Sequence, residues 1–217
     1  MYATFKYAFN ITIPILFGYS FLSFSFGILA INLGFDWYIP IFMSIFIYSG
    51  ALQFLLIGLF SSNLALIDIF ITSFLLNIRQ IFYGLSFLNK FTKFKLYLIF
   101  SLTDETYLLL NNSIPKEINN QYYYLFVSLL NHIYWIVGTI LGVIFAHFVK
   151  FNFRGLDFIL VSLFTVLLIE QYKRLKVIFP FAIGIFSFAV MFIFKFDNIL
   201  LYSILLSVFI LFMYKRS

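Results

Sequence analysis

Arg79 lies inside an apolar run from Leu64 to Leu88, with Asp68 the nearest charge before it and Lys90 the nearest after it. A run of that length crosses a bilayer as a helix, which takes ~20 residues. An Arg near the centre of such a helix costs about 2.5–3.5 kcal/mol on insertion scales. A chain that keeps one must supply an internal partner, a water-filled cavity or a ligand. At ~100° per residue along a helix, Ser73, Asn77, Gln80 and Gly84 share one stripe, and Thr72, Arg79, Tyr83 and Ser86 share another. Two polar stripes predict a central helix with protein or water on most sides. A guanidinium paired once and remote from any substrate is the plainer reading, but intramembrane ionisable residues are functional by default.

Composition extends this to the whole chain. Of its 217 residues 64% are apolar and only 10% charged, where a soluble domain carries about 25% charge. The predicted fold class is an all-α, polytopic membrane helix bundle with seven to eight hydrophobic segments, forming a single transmembrane domain over residues 1–217. The net charge of +6 sits in short loops between apolar runs, the pattern of a cytoplasmic face rather than of a nucleic-acid partner. There is no Cys, which excludes disulfides and thiolate metal sites. His132 and His147 have no acid at ligand spacing, so no metal and no cofactor is expected. No nucleophile with a base, phosphate loop or nucleotide motif is present, and the loops are too short for a soluble catalytic site.

The runs are Ile11–Leu33, Ile39–Phe60, the Arg79 segment, a weak run Phe94–Leu110, then Tyr122–Val149, Leu156–Ile169, Val177–Phe194 and Ile199–Tyr214. Ser20, Ser23 and Gly27 form a close-packing face, and Gly138-x-x-x-Gly142 another. The second run is interrupted at Ser49-Gly50-Ala51-Leu52-Gln53, which predicts a broken helix. Pro14-x-x-x-Gly18 and Pro180-x-x-x-Gly184 look alike near the two ends, a short pattern that suggests repeated halves.

Topology turns on the weak run. If it crosses, with the N-terminus inside, the Lys and Arg residues divide seven against six. If it dips in and returns, with the N-terminus outside, they divide nine against four, with Lys90, Lys93, Lys95 and Lys116 inside and Lys6 outside. The bias favours the second arrangement, in which a re-entrant segment lines the pathway.

The adjacent carboxylates of Asp104 and Glu105, inside this short apolar run, are the candidate ion-coupling groups; a turn at the interface with both acids in water is the alternative. Arg79, Asn77, Ser49, Gly50 and Gln53 are the candidate substrate-binding residues. A helix restarting near Gly50 would offer unpaired amides to a carboxylate, and Gln53 would reach the substrate backbone. Small-residue packing is the competing account of that segment. His132, beside Asn131, reads as an interhelical hydrogen-bond pair more readily than as a proton shuttle.

Ser49-Gly50-Ala51-Leu52-Gln53, Asn77-Ile78-Arg79 with Tyr83-Gly84, and Thr103-Asp104-Glu105, in this order and spacing, resemble the AzlC family. Pro14, Gly18-Tyr19, Gly155-Leu156-Asp157 and Gln171 fit the same resemblance, which covers nearly the whole chain. Ser49, where the family often has Ala, and Gln80, where a basic or aromatic residue is expected, depart from it. The resemblance implies the large subunit of a bacterial branched-chain amino-acid exporter in the inner membrane. It implies an amino-acid substrate and a small membrane partner resembling AzlD. A passive channel, or a membrane protein without transport activity, is the alternative.

Overall fold

A computed structural model describes residues 1–61, 65–148, 165, 168–169, 172–173, 176–194 and 199–216. The regular elements among them are α-helices: α1 Tyr2–Asn32, α2 Tyr38–Phe46, α3 Gly50–Ser61, α4 Leu66–Phe87, α5 Lys95–Phe100, α6 Asp104–Leu110, α7 Asn120–Phe148, α8 Phe179–Ile193 and α9 Ile199–Arg216. Gly155-Leu156-Asp157, Glu170-Gln171 and most of the sixth apolar run fall outside the described residues. The chain divides into two compact units, Met1–Asn63 with Ser73–Phe153, and Leu64–Thr72 with Arg154–Ser217.

Three described helices, α1, α4 and α7, are long and apolar enough to cross a membrane. Their outward faces are apolar. Phe5, Phe9, Ile13, Phe17 and Phe21 of α1 are exposed at four-residue steps, as are Leu129, Ile133, Val137 and Leu141 of α7. The polar residues Thr12, Ser23, Ser128, Asn131 and Thr139 are buried instead. This is the inside-out pattern of helices solvated by lipid. On α4 the expectation of a helix enclosed on most sides is corrected. Phe74, Ile78, Ile81, Phe82 and Leu85 are exposed. They form a third, apolar stripe that the two polar stripes leave free.

The first unit is built on α1 and α7, which run parallel and touch closely. A Cβ on Gly27 would meet Thr139 O at 2.5 Å, and one on Gly138 or Gly142 would strike Ser23 or the Phe24 carbonyl of α1. Both small-residue faces predicted from sequence therefore meet each other. α1 begins nine residues before its apolar run, because Lys6 at its first turns masks the start in hydropathy. Gly34, at φ 88°, ends it: its amide bonds Ile31 O and that of Phe35 bonds Ala30 O, a paired C-terminal closure that favours glycine.

Two hairpins enter this pair from opposite ends. The first, α2 then α3, starts beyond the C-terminal end of α1. Ser44 Oγ lies 2.8 Å from Thr139 Oγ1, and Trp135 Nε1 donates to Gln53 Oε1 at 2.7 Å. Phe54 then packs on Phe26, near the end where the hairpin began. The helix breaks at residues 47–49, where Tyr48 takes the left-handed φ of 40°, a conformation that costs a non-glycine residue about 1–3 kcal/mol.

The second hairpin, α5 then α6, enters at the other end. Gln121, in the first turn of α7, accepts from the Thr92 and Lys93 amides. Tyr97 reaches His132, Asn131 reaches Thr106, and Tyr123 donates back to Leu109 O. Lys90 Nζ donates to Asn111 Oδ1 at 3.4 Å. Both ends of the weak run thus lie at the N-terminal end of α7, and the run returns rather than crosses. Phe87, Phe91, Leu98, Leu102, Leu110, Tyr123, Tyr124 and Val127 form the apolar core that seats it. From Asn77 to Phe87, α4 runs antiparallel to α7, from the first hairpin's tip towards this core.

A repeat follows. α1 leads into a hairpin from the far end, and α4, running the other way, leads into a hairpin from the near end. The breaks correspond in sequence: Phe46 to Ser49 and Phe100 to Thr103 each separate the last helical residue from a hydroxyl residue. That residue's carbonyl then accepts the amide four places on, Gln53 or Tyr107, at 2.8 Å in both. The repeat suggested by Pro14 and Pro180 is not this one, since Pro14 lies mid-helix in α1 and Pro180 opens α8. The second unit contains α8 packed on α9, with Ser187 and Ser203 buried.

Candidate functional site

The site forms where the two breaks face α4, α1 and the middle of α7. The polar stripes of α4 divide between the hairpins. Ser49 donates to Asn77 Oδ1 at 2.9 Å and accepts from Gln80 Nε2 at 3.2 Å, so one stripe holds the first break. Arg79 Nη1 lies 2.7 Å from Asp104 Oδ2, and Tyr83 donates to Asp104 Oδ1 at 2.8 Å, so the other holds the second. Three- and four-residue spacings on a helix put each pair on one face.

The Arg79–Asp104 pair is partly open, with side-chain exposures of 39% and 27%. Arg79 Nε is nevertheless buried and has no hydrogen-bond partner. A guanidinium presents five donors in a fixed fork. Here the ion pair uses one edge and leaves a shielded donor on another.

Glu105 faces elsewhere. Its Oε2 accepts from Tyr19 Oη of α1 at 2.6 Å, and the same hydroxyl lies 2.6 Å from Thr103 Oγ1. Thr103 caps α6 by accepting from the Thr106 amide. The adjacent acids, treated alike from sequence, are held by different helices: Asp104 by α4, Glu105 by α1. The acids sit at the buried break rather than at a turn in water.

The remaining candidates occupy the wall. Gln53 is fully buried, engaged by Trp135 on one side and donating to Ser44 Oγ at 3.5 Å on the other. Gly50 packs under the Trp135 ring, where a Cβ would meet it at 2.6 Å. His132 Nε2 lies 3.2 Å from the Ser44 carbonyl, so that nitrogen carries the proton and Nδ1 accepts from Tyr97 Oη. It joins the two hairpins. The rings of Tyr48 and His132 are 4.2 Å apart, and the Tyr48 hydroxyl is buried without a partner. Among the described residues no group of three His or acidic side chains could hold a metal ion.

Tyr19, Trp135, Thr106 and Asn131 lie behind the site, where they hold Glu105, Gln53 and Thr103, and were not singled out as site residues from sequence. In a chain that is 24% aromatic, one Tyr or Trp carries no signal. Asn131 was legible as part of an interhelical hydrogen-bonding pair with His132, but not as the partner of Thr106. Gln80, noted as a departure, proves to be the second contact of Ser49.

The sequence matches the family described as AzlC protein over residues 14–149, a span that contains both hairpins and α7. It is 45% identical to an uncharacterized membrane protein of Helicobacter pylori, over 78% of this chain and 76% of that one. It is 41% identical to the branched-chain amino acid transport protein AzlC of Bacillus subtilis, over 81% of this chain and 71% of that one. Identity to the inner membrane protein YgaZ of Escherichia coli is 25%, over 79% of this chain and 75% of that one. No solved structure matches. This family is one of transport proteins rather than enzymes, and the chain, a membrane protein of the same pattern, belongs to the AzlC family.

Proposed function

We propose that the protein is the substrate-binding subunit of a secondary transporter that exports branched-chain or similar hydrophobic amino acids across a bacterial inner membrane. It crosses that membrane several times and works with a small membrane subunit resembling AzlD. The observation that carries this reading is the Arg79 guanidinium, tied to Asp104 by Nη1 while its buried Nε lacks a partner. A buried donor without an acceptor is costly, and an α-carboxylate supplies two acceptors in one plane. The ammonium group of the same amino acid is matched by Asp104, so a zwitterion inserts into the pair and satisfies both charges.

Ser49, Asn77 and Gln80 bound the carboxylate side, and Gly50 lets the chain pass close beneath Trp135. Gln53 serves the site through Trp135, whose ring it orients. With Asp104 held by Arg79, Glu105 is the group that takes up a coupling proton. The repeat of opposed hairpins supports alternating exposure of one site, since inverted repeats provide two matched gates. Branched-chain substrates follow from the relative in Bacillus subtilis that carries that description.

Replacing Arg79 with Lys tests the reading. Lys retains charge but not the planar fork. Expected is normal membrane abundance with leucine efflux from loaded vesicles down by ~10-fold or more, the loss of about one charged hydrogen bond. Normal efflux from the Lys variant would sink fork binding. Flux through the unmodified protein without stimulation by leucine on the opposite side would indicate a channel instead.

A further inference from the structure

We infer that Tyr19, Thr103, Thr106 and Asn131 form a buried hydrogen-bond wire that reports the protonation of Glu105 to the middle of α7, making Tyr19 and Asn131 positioning residues for proton coupling. The inference rests on the reading of the protein as a proton-coupled transporter, but its geometry stands apart from the Arg79 site.

The contacts run Glu105 Oε2 to Tyr19 Oη, 2.6 Å; Tyr19 Oη to Thr103 Oγ1, 2.6 Å; Thr103 Oγ1 to Thr106 Oγ1, 3.0 Å; and Thr106 Oγ1 to Asn131 Nδ2, 3.0 Å. Thr106 and Asn131 are fully buried, Tyr19 is 4% exposed and Thr103 8%. The wire joins α1, α6 and α7, and Thr103 within it is the cap of α6.

Each hydroxyl has one proton to give, so counting protons sets the direction of the wire. With Glu105 ionised, Tyr19 must be the donor in their contact. Thr103 must then donate to Tyr19, which reverses its donation to Thr106 in the structure and makes Thr106 the donor to Thr103, while Asn131 Nδ2 donates to Thr106. Every group is satisfied in that polarity except Asn131 Oδ1, which is buried with no partner. With a proton on Glu105, the carboxyl donates to Tyr19, Tyr19 to Thr103 and Thr103 to Thr106. The Thr106 proton then needs a new acceptor. A turn of the Asn131 amide brings Oδ1 to meet it, so the orphan atom is the one that the second polarity uses. No bond other than hydrogen bonds changes, and the only proton added is the one on Glu105.

The other charged or titratable groups around Glu105 keep to their own partners. Asp104 beside it is held by Arg79 and Tyr83 of α4. Tyr48 of the first break is the exception: its hydroxyl, buried without a partner of its own, lies near Glu105, Tyr19 and Thr106. His132 and Tyr97 bond each other, with His132 also on the Ser44 carbonyl. Tyr107 stacks on Tyr83.

The test uses the full chain in proteoliposomes, with its partner subunit where required, and radiolabelled leucine as probe. Tyr19→Phe keeps the ring on Trp135, 5.2 Å away, and removes one wire hydroxyl. Expected is leucine-for-leucine exchange as in the unmodified protein, with flux driven by a pH gradient down ~5–150-fold, the span of an ordinary coupling free energy. Thr106→Val, cutting the wire one step further on, should do the same. Infrared difference spectra between acid and neutral pH supply a signature that a structural role would not move. The side-chain amide band removed by Asn131→Leu should shift with pH in the unmodified protein and stay still in Tyr19→Phe. A Tyr19→Phe variant that keeps its pH-gradient response, or an amide band that ignores pH in the unmodified protein, overturns the wire. Loss of exchange in both variants would also overturn it, because the hydroxyls would then be structural. Absence of leucine transport by the unmodified protein would fail the transport reading while leaving the infrared outcome to decide the wire.

Discussion

At the scale of single residues, two adjacent carboxylates have separate tasks because successive residues at a helix start point in different directions. Asp104 meets Arg79 and Tyr83; Glu105 meets Tyr19. Asp104→Asn leaves a guanidinium in an apolar setting without its counter-charge, which is the costly way to break such a pair, whereas removing both members is far milder. Membrane abundance, read by immunoblot, should therefore fall for Asp104→Asn and for Arg79→Ala but recover in the double variant Arg79→Ala with Asp104→Ala, which still does not transport. Glu105→Gln should keep full abundance and leucine exchange while losing the response to a pH gradient. Equal abundance in all four variants would show that the pair is not structural. Equal transport defects in the Asp104 and Glu105 variants would show that their tasks are not separate. The spacing on α4 made Asn77 with Gln80, and Arg79 with Tyr83, legible from sequence. What each face met was not, because the partners Ser49 and Asp104 lie on breaks whose positions in space depend on tertiary packing.

At the scale of elements, the discontinuous helices are the source of the site. A break exposes polar backbone; at one the Thr103 hydroxyl takes over a helical hydrogen bond, and at the other the Ser49 hydroxyl turns to Asn77 and Gln80. The break near Gly50 was legible from its small and polar residues, and the one at Ser101–Thr103 from the polar residues that interrupt the weak run. The close approach of α1 and α7 holds both hairpins in place. Gly142→Ala would drive a methyl into the Phe24 carbonyl, and overpacking of this kind costs about 1–3 kcal/mol. A methyl on Gly18 of α1 would instead meet nothing within 4 Å. Thermal unfolding in detergent should drop for Gly142→Ala and stay unchanged for Gly18→Ala. An equal drop for both would mean that helix propensity rather than packing governs these positions.

At the scale of the whole molecule, charge argues for a direction. Reading Ile39–Phe60 as a crossing helix puts Lys6 on the opposite side from Lys90, Lys93 and Lys95. That assignment is corrected by the first hairpin, which returns to the end where it began, so one fewer crossing separates Lys6 from the others. Hydropathy could not distinguish the two, since a broken helix that turns back is as apolar as one that crosses. Tyr7 on Tyr123 puts the start of α1 beside the start of α7. Lys6, Lys90, Lys93, Lys95 and Lys116 therefore gather at one end of the first unit. The described residues at its other end include Asp36 and His147 and no Lys or Arg. Among the described residues of this unit the Lys residues lie at one end, and positive residues mark the cytoplasmic side. The N-terminus is thus expected inside. The chain has no Cys, so single Cys substitutions at Lys6, Lys93, Lys116 and Asp36 can each be labelled with an impermeant thiol reagent. Lys6, Lys93 and Lys116 should react in inverted vesicles and not in intact cells, with Asp36 the reverse. Lys93 and Lys116 on opposite sides would mean that the second hairpin crosses. Lys6 apart from Lys93, with Asp36 opposite Lys6, would mean that the first one does, and the inverted repeat would fall with it.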